Sequence, residues 1–185
     1  MDNILQNLRE LQEAIADCLA KRRYFATLML IYAAIDIVAS IESKSGSNKP
    51  SFMRWTDSYL IPAMPLDCSA LELYAARCGI LHTMTAESDL SRSGQARAIY
   101  YGWGDASSDE LNAAIAASGN KDKVFVLNVE QLREAFLIAV MAWANEVSRD
   151  SERLKQVNAQ SAKWFTNIDP GLLLKFTRQQ TKEPT

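Results

Sequence analysis

At 185 residues, with 48% hydrophobic and 23% charged side chains, the chain has the composition of one folded domain; this excludes intrinsic disorder and leaves little room for two autonomous cores. A formal net charge of −2 excludes a general nucleic-acid coat, so any RNA contact must come from a local positive site. Cys18, Cys68 and Cys78, odd in number and widely spaced, point to neither a disulfide framework nor a zinc ribbon and fit a reducing cytoplasm.

The opening residues, Met1 to Gln6, lack the basic and apolar regions of a signal peptide, so no targeting segment is expected. From Asp2 to Lys21, Ile4, Leu8, Leu11, Ile15 and Cys18 or Leu19 follow three-four spacing and predict an amphipathic helix. Lys21-Arg22-Arg23 then reads as cations complementing a helix dipole or bridging to the next helix, in preference to a nucleic-acid patch. Tyr24 to Glu42 is apolar nearly all round, the pattern of a central bundle helix or of one covered on its second side by another subunit. Thr27, Asp36 and Ser40 within it argue against a bilayer span, so no membrane association is expected. Asp36 needs a partner: either a structural hydrogen bond or ion pair with an arginine, or a supporting contact that orients Arg77 or His82. Ser43 to Pro50 is a surface loop by composition, and a short helix from Ser51 to Leu60 is ended by Pro62 and Pro65. Arg54 beside Trp55 has two readings, a phosphate contact next to a stacking ring or an arginine packed over tryptophan.

Ser69 and Glu72 form a capping box, which predicts a helix from about Ser69 to about Met84. Leu71, Tyr74, Ala75, Cys78 and Leu81 form its expected core stripe, with Arg77 and Ile80 beside it. His82, the single histidine of the chain, falls in the last turn. Thr85 to Gly94 reads as a loop, in which Ser88, Ser91 and Arg92, with Arg97 just beyond, are the groups available to face a phosphate. Ala98 to Trp103 and Lys123 to Asn128 are rich in strand formers and are expected to pair as an antiparallel ribbon, with a capped helix from Leu111 to Ser118 between them. Tyr100, Tyr101 and Trp103 either stack bases or, as is commoner, pack on a helix. Asn128 and Gln131 start a helix over Val129 to Asp150 with Leu132, Phe136, Ala139, Val140 and Trp143 buried. A more polar helix from Ser151 to Trp164, a turn at Asp169-Pro-Gly, a leucine-rich segment from Leu172 to Phe176 and a frayed end over 178–185 complete the expectation. The sum is a single, mainly α domain over 1–185, a helical bundle with a β-ribbon and short-helix insertion over 98–128. No Gly-rich phosphate loop, internal repeat or metal-ligand spacing occurs, so neither a cofactor nor a metal is expected.

Arg77-Cys-Gly-Ile-Leu-His82 fits the R-x4–6-H signature of the HEPN superfamily, small helical bundles that include metal-independent ribonucleases and RNase toxins. The chain resembles that family in helix order as well: a helical hairpin before the motif, a proline-containing loop into its helix, and further helices after it. The position after the arginine, often Asn or Asp in active members, is Cys78 here. Residues five apart on an ideal helix point roughly 140° away from each other, so one copy is not expected to form a tight Arg77–His82 pair. The resemblance implies a homodimer whose two motif helices build a composite site. It also implies RNA cleavage by the ribose 2′-hydroxyl, with His82 moving protons and Arg77 stabilising phosphate charge. DNA lacks that nucleophile. Arg54, Ser88, Arg92 and Arg97 would face substrate, Asp36 and Cys78 would support the pair, and an antitoxin-like protein is the partner class that fits. The competing reading is a non-catalytic, HEPN-like dimeric module for RNA, nucleotide or a protein partner.

Overall fold

The computed structural model describes residues 2–41, 43, 48–64, 67–161 and 171. The amphipathic first helix, α1 (Asp2–Ala20), buries Ile4, Leu8 and Ile15 against α2 (Tyr24–Ile41). Three residues connect them, and a connection that short leaves an antiparallel hairpin as the way to pack the two. Arg22 takes a left-handed conformation there, with φ 54°. By length and composition α2 is apolar enough to cross a membrane, with a mean hydropathy of 1.9, and half of it is buried inside the protein. It is the central strut: α1, α3, α8 and the motif turn all pack on it.

The expected short helix starts at α3 (Lys49–Trp55), with Asn48 and Ser51 forming a reciprocal capping box and Pro50 in the first turn. Pro62 does not end it. A π-helical turn over Thr56–Leu60 carries the chain into α4 (Ile61–Ala63), with the Ile61 N–H reaching back to the Thr56 carbonyl. The widened turn relieves the clash a proline ring makes with the carbonyl one α-turn earlier. Pro65, the expected second breaker, lies outside the described residues.

The two strands pair in parallel, which corrects the antiparallel expectation. β1 (Ala98–Gly102) and β2 (Val124–Asn128) run in register from Ala98 opposite Val124 to Gly102 opposite Asn128. The cause is α7 (Ser108–Ala117), which packs along β2 and returns the chain to the end where β1 began. A helix between strands is the connection that parallel pairing requires, whereas antiparallel pairing needs only a tight turn. Asn128 ties the unit together: its N–H donates to Ser108 Oγ at 2.8 Å and its amide donates to the carbonyls of Gly104 and Ala106. The same side chain caps α8 (Val129–Arg149) by accepting from the Gln131 N–H. Leu132, Phe136, Ala139 and Trp143 are buried there as expected, joined by Ala135 and Val147, while Val140 is only partly covered. Asp150 leaves the helical conformation and caps α9 (Ser151–Ser161), so the last two helices are separate elements. The remainder of the expected tail helix, the leucine-rich segment and the 178–185 end lie outside the described residues.

The motif helix α5 (Ala70–Cys78) packs on α3 and β1. Its capping box forms as expected, with Ser69 and Glu72 exchanging bonds. Glu72 also takes the Arg97 guanidinium, which fastens α5 to the start of β1 with both partners largely buried. Burial pushes the Glu72 carboxyl up, but Arg97 and the Ser69 donors outweigh it and hold the group below its ordinary value. A carboxylate depressed in the folded state contributes stability above its unfolded pKa and loses it as the pH falls through the folded one. Glu72→Gln is therefore expected to cost about 3 kcal/mol at neutral pH, because it leaves a largely covered guanidinium without its counter-charge. Denaturant titrations check this, and the variant should lose less stability than the wild type on acidification below pH 4.5.

Candidate active site

Arg77 stands in the last turn of α5, where the helix ceases to be α. Gly79–Thr83 forms a π-helical turn, closed by the Met84 N–H donating to the Gly79 carbonyl. The same carbonyl receives the Thr83 hydroxyl at 2.9 Å and the Thr85 N–H at 3.2 Å. Met84 leaves the turn in a left-handed conformation, and the chain doubles back over Gly79. In an i→i+5 turn, residues five apart come to the same edge of the helix. His82 Nε2 accordingly lies 2.9 Å from Arg77 Nη1, within one chain. This overturns the expectation that an ideal α-helix would hold the two apart. Glycine is required for the arrangement, since a Cβ at position 79 would lie 2.5 Å from the Thr85 carbonyl oxygen and 3.3 Å from that of Glu87.

The core stripe of α5 also differs from the sequence expectation. Leu73, Ala76 and Ile80 are buried in the main hydrophobic cluster and Ala75 is buried as expected, whereas Leu71, Tyr74, Cys78 and Leu81 are only partly covered. That rotation brings Arg77 to the boundary of the core, facing α2. Arg77 Nε donates to Asp36 Oδ2 at 2.7 Å, and Nη2 donates to the same oxygen. The guanidinium also lies 5.9 Å from the centre of the Tyr74 ring, and Nη1 approaches Cys78 Sγ at 3.9 Å. Burial works against the charge on Arg77, but the Asp36 carboxylate outweighs it and raises the pKa above the ordinary arginine value.

Asp36 has the arginine partner that its apolar setting called for. It is an ion-pair partner in the wall of the core, and it orients the arginine so that Nη1 points at the imidazole. Side-chain exposure falls to 17% for Arg77 and 13% for Asp36, while His82 is exposed. A guanidinium can only donate, so His82 Nε2 accepts and the imidazole proton sits on Nδ1. The site thus places an imidazole at the surface against a fixed cation, with Nε2 turned to Arg77: a group that can exchange protons beside one that stabilises anionic oxygen.

The proposed substrate groups do not join it. Arg54 is exposed on α3 and lines a separate cavity of about 320 Å³ with Trp55, Tyr59 and Arg153. Ser88 is buried as the cap of a short helix, α6 (Asp89–Arg92), inside the segment expected to be a loop. Arg92 pairs with Asp89. Arg97 is committed to Glu72 and the Asp67 carbonyl and lies 4.9 Å from the Phe125 ring centre. Arg92 and Arg97 do line one cavity of about 610 Å³, which Tyr100 and Lys123 also border, but neither Arg77 nor His82 does. Among the described residues, no group of three or more His, Cys, Asp or Glu side chains converges as metal ligands.

Two contributors escaped the sequence reading. Gly79 sits inside a helical pattern, a placement that signals close backbone approach. Lys49, whose ammonium lies 5.7 Å from the centre of the Tyr74 ring, had no readable signal in a polar loop. No family model, curated protein or solved structure matches the chain.

Alanine at position 79 would gain about 1 kcal/mol of helix propensity but would force a methyl group onto a backbone carbonyl, an overpacking cost of about 1–3 kcal/mol. Because the neighbour is backbone and cannot rotate away, the Gly79→Ala variant is expected to melt lower and to show shifted His82 ring resonances. Thermal denaturation and imidazole NMR signals measure the two effects.

Proposed function

We propose that the protein is a metal-independent endoribonuclease of the HEPN type that cleaves RNA by attack of the ribose 2′-hydroxyl. The observation that carries this reading is the Arg77–His82 contact, with Asp36 holding the arginine from behind and the imidazole facing solvent. In this mechanism the neutral His82 takes the 2′-hydroxyl proton as the oxygen attacks phosphorus. Arg77 Nη1, released from the imidazole as the phosphate enters, donates to the phosphoryl oxygen on which charge builds. The 5′-oxygen then leaves and needs a proton. A single chain carries one histidine, so the acid is the protonated imidazolium of a second copy across a two-fold axis, which brings the same residues to a shared cleft and gives up its proton as the 5′-oxygen leaves. The resulting reading is a cytoplasmic homodimer, with a toxin or defence effector as the setting that the family resemblance implies and an antitoxin-like protein as its partner.

A second reading draws on a different feature of the same geometry. Arg77 is largely covered and its ion pair with Asp36 is complete, as in a structural residue. A non-catalytic, HEPN-like dimeric module that binds RNA, nucleotide or protein fits that feature.

End-labelled RNA incubated with the purified protein in EDTA separates the two. The nuclease reading expects products ending in 2′,3′-cyclic phosphate, with a rate reduced roughly 10²- to 10⁴-fold by His82→Ala and also lowered by Asp36→Asn, which removes the anchor of the arginine. Equal inertness of wild type and His82→Ala on many RNAs, with the fold intact, would leave the binding module as the function.

A further inference from the structure

Far from the motif in sequence, the fold brings Trp103 onto Tyr24. The rings stack face to face, with centroids 4.3 Å apart and planes 11° from parallel. Trp103 nevertheless stays 53% exposed, so the indole keeps much of its surface in solvent after one face is used. Tyr24 directly follows Lys21-Arg22-Arg23, all three exposed. Lys21 pairs with Asp17, whereas neither Arg22 nor Arg23 has a side-chain partner among the described residues. An exposed indole held rigid by a second ring, with two exposed arginines immediately before that ring in the chain, has the composition of a site for single-stranded nucleic acid. Tyr101, the neighbouring aromatic, is spent on packing: its hydroxyl meets that of buried Tyr32 at 2.7 Å.

We propose that Trp103, Tyr24, Arg22 and Arg23 form a second RNA-binding site, in which a nucleobase stacks on the indole and flanking phosphates meet the two arginines. This rests on the ribonuclease reading for the identity of the ligand. The geometry also sets a ruler. Tyr24 and Asp36, the residue that anchors Arg77, are twelve residues apart on the one helix α2, roughly 18 Å at 1.5 Å per residue. At the roughly 3.4 Å per nucleotide of one strand in duplex-like stacked geometry, about five nucleotides span that distance. RNA long enough to reach both places is held at two points at once, and shorter RNA at one place or the other.

The test measures binding of single-stranded RNAs of 3 and 12 nucleotides, made uncleavable by 2′-O-methylation, as a function of salt. Wild type is compared with Trp103→Ala, Trp103→Phe and the double variant Arg22→Gln/Arg23→Gln. For the longer RNA, Trp103→Ala should weaken binding roughly 5- to 150-fold, the range for losing one base–aromatic stack, and Trp103→Phe should restore most of it. The arginine double variant should reduce the slope of log affinity against log salt by about 1.4, at roughly 0.7 per phosphate contact on single strands. The 3-nucleotide RNA should lose less than the longer one in each variant, because the catalytic pair still offers it a place. If wild type binds or cleaves RNA and the variants match it at both lengths, the second site is refuted while the nuclease reading stands. If the folded wild type neither binds nor cleaves any RNA, both fall together.

Discussion

A carboxylate set in the wall of an apolar core must be matched, and in this protein the match decides where everything near the motif lies. Asp36 is placed by α2, the helix on which α1, α3, α8 and the motif turn pack, and the guanidinium that answers it comes from α5. Two donors of Arg77 meet one carboxylate oxygen, which fixes the planar head of the arginine rather than only its charge. The third nitrogen, Nη1, is left with one direction to point, and that direction contains His82. Removing the acid would leave a largely covered cation without its counter-charge, a costlier change than never having the pair.

The same anchor explains why α5 presents the face it does. Leu73, Ala76 and Ile80 turn inward while Tyr74 and Cys78 stay at the rim, because the inward face must include the flank that carries Arg77. Glu72 and Arg97 supply a second tie on another side of α5, from the first turn to the start of β1. The motif helix is thereby gripped at both ends by ion pairs, one to the bundle and one to the βαβ unit.

Much of this was legible from residue order. The capping box at Ser69, the hairpin of α1 and α2, the Asn128 cap and, Val140 apart, the buried stripe of α8 follow from spacing and side-chain chemistry, and form as expected. The need of Asp36 for an arginine also followed from its apolar setting. The failures have physical causes. Strand direction was missed because two runs of strand formers carry no information about direction; only the helix between them does, and its role depends on packing along β2. The core face of α5 was misplaced because Leu71, Leu73, Tyr74, Ala75 and Ala76 offer apolar side chains on nearly every azimuth. The Arg77–His82 contact was missed because a π turn does not show in hydrophobic periodicity. Arg97 read as a free phosphate ligand because its partner, Glu72, lies 25 positions away.

The π turn also bears on how the spacing of the motif can vary. A helix that closes over five residues instead of four carries one residue beyond its α-helical track, so Gly79–Thr83 is equivalent to a single-residue insertion absorbed without breaking the helix. Helix width and motif spacing are then interchangeable. A chain one residue shorter between the arginine and the histidine would reach the same edge with an ordinary α-turn, whereas a longer one would need further widening or a loop. Chains of different spacing can therefore converge on one side-chain geometry, and the contact between guanidinium and imidazole is a better unit of comparison than the number of residues that separates them.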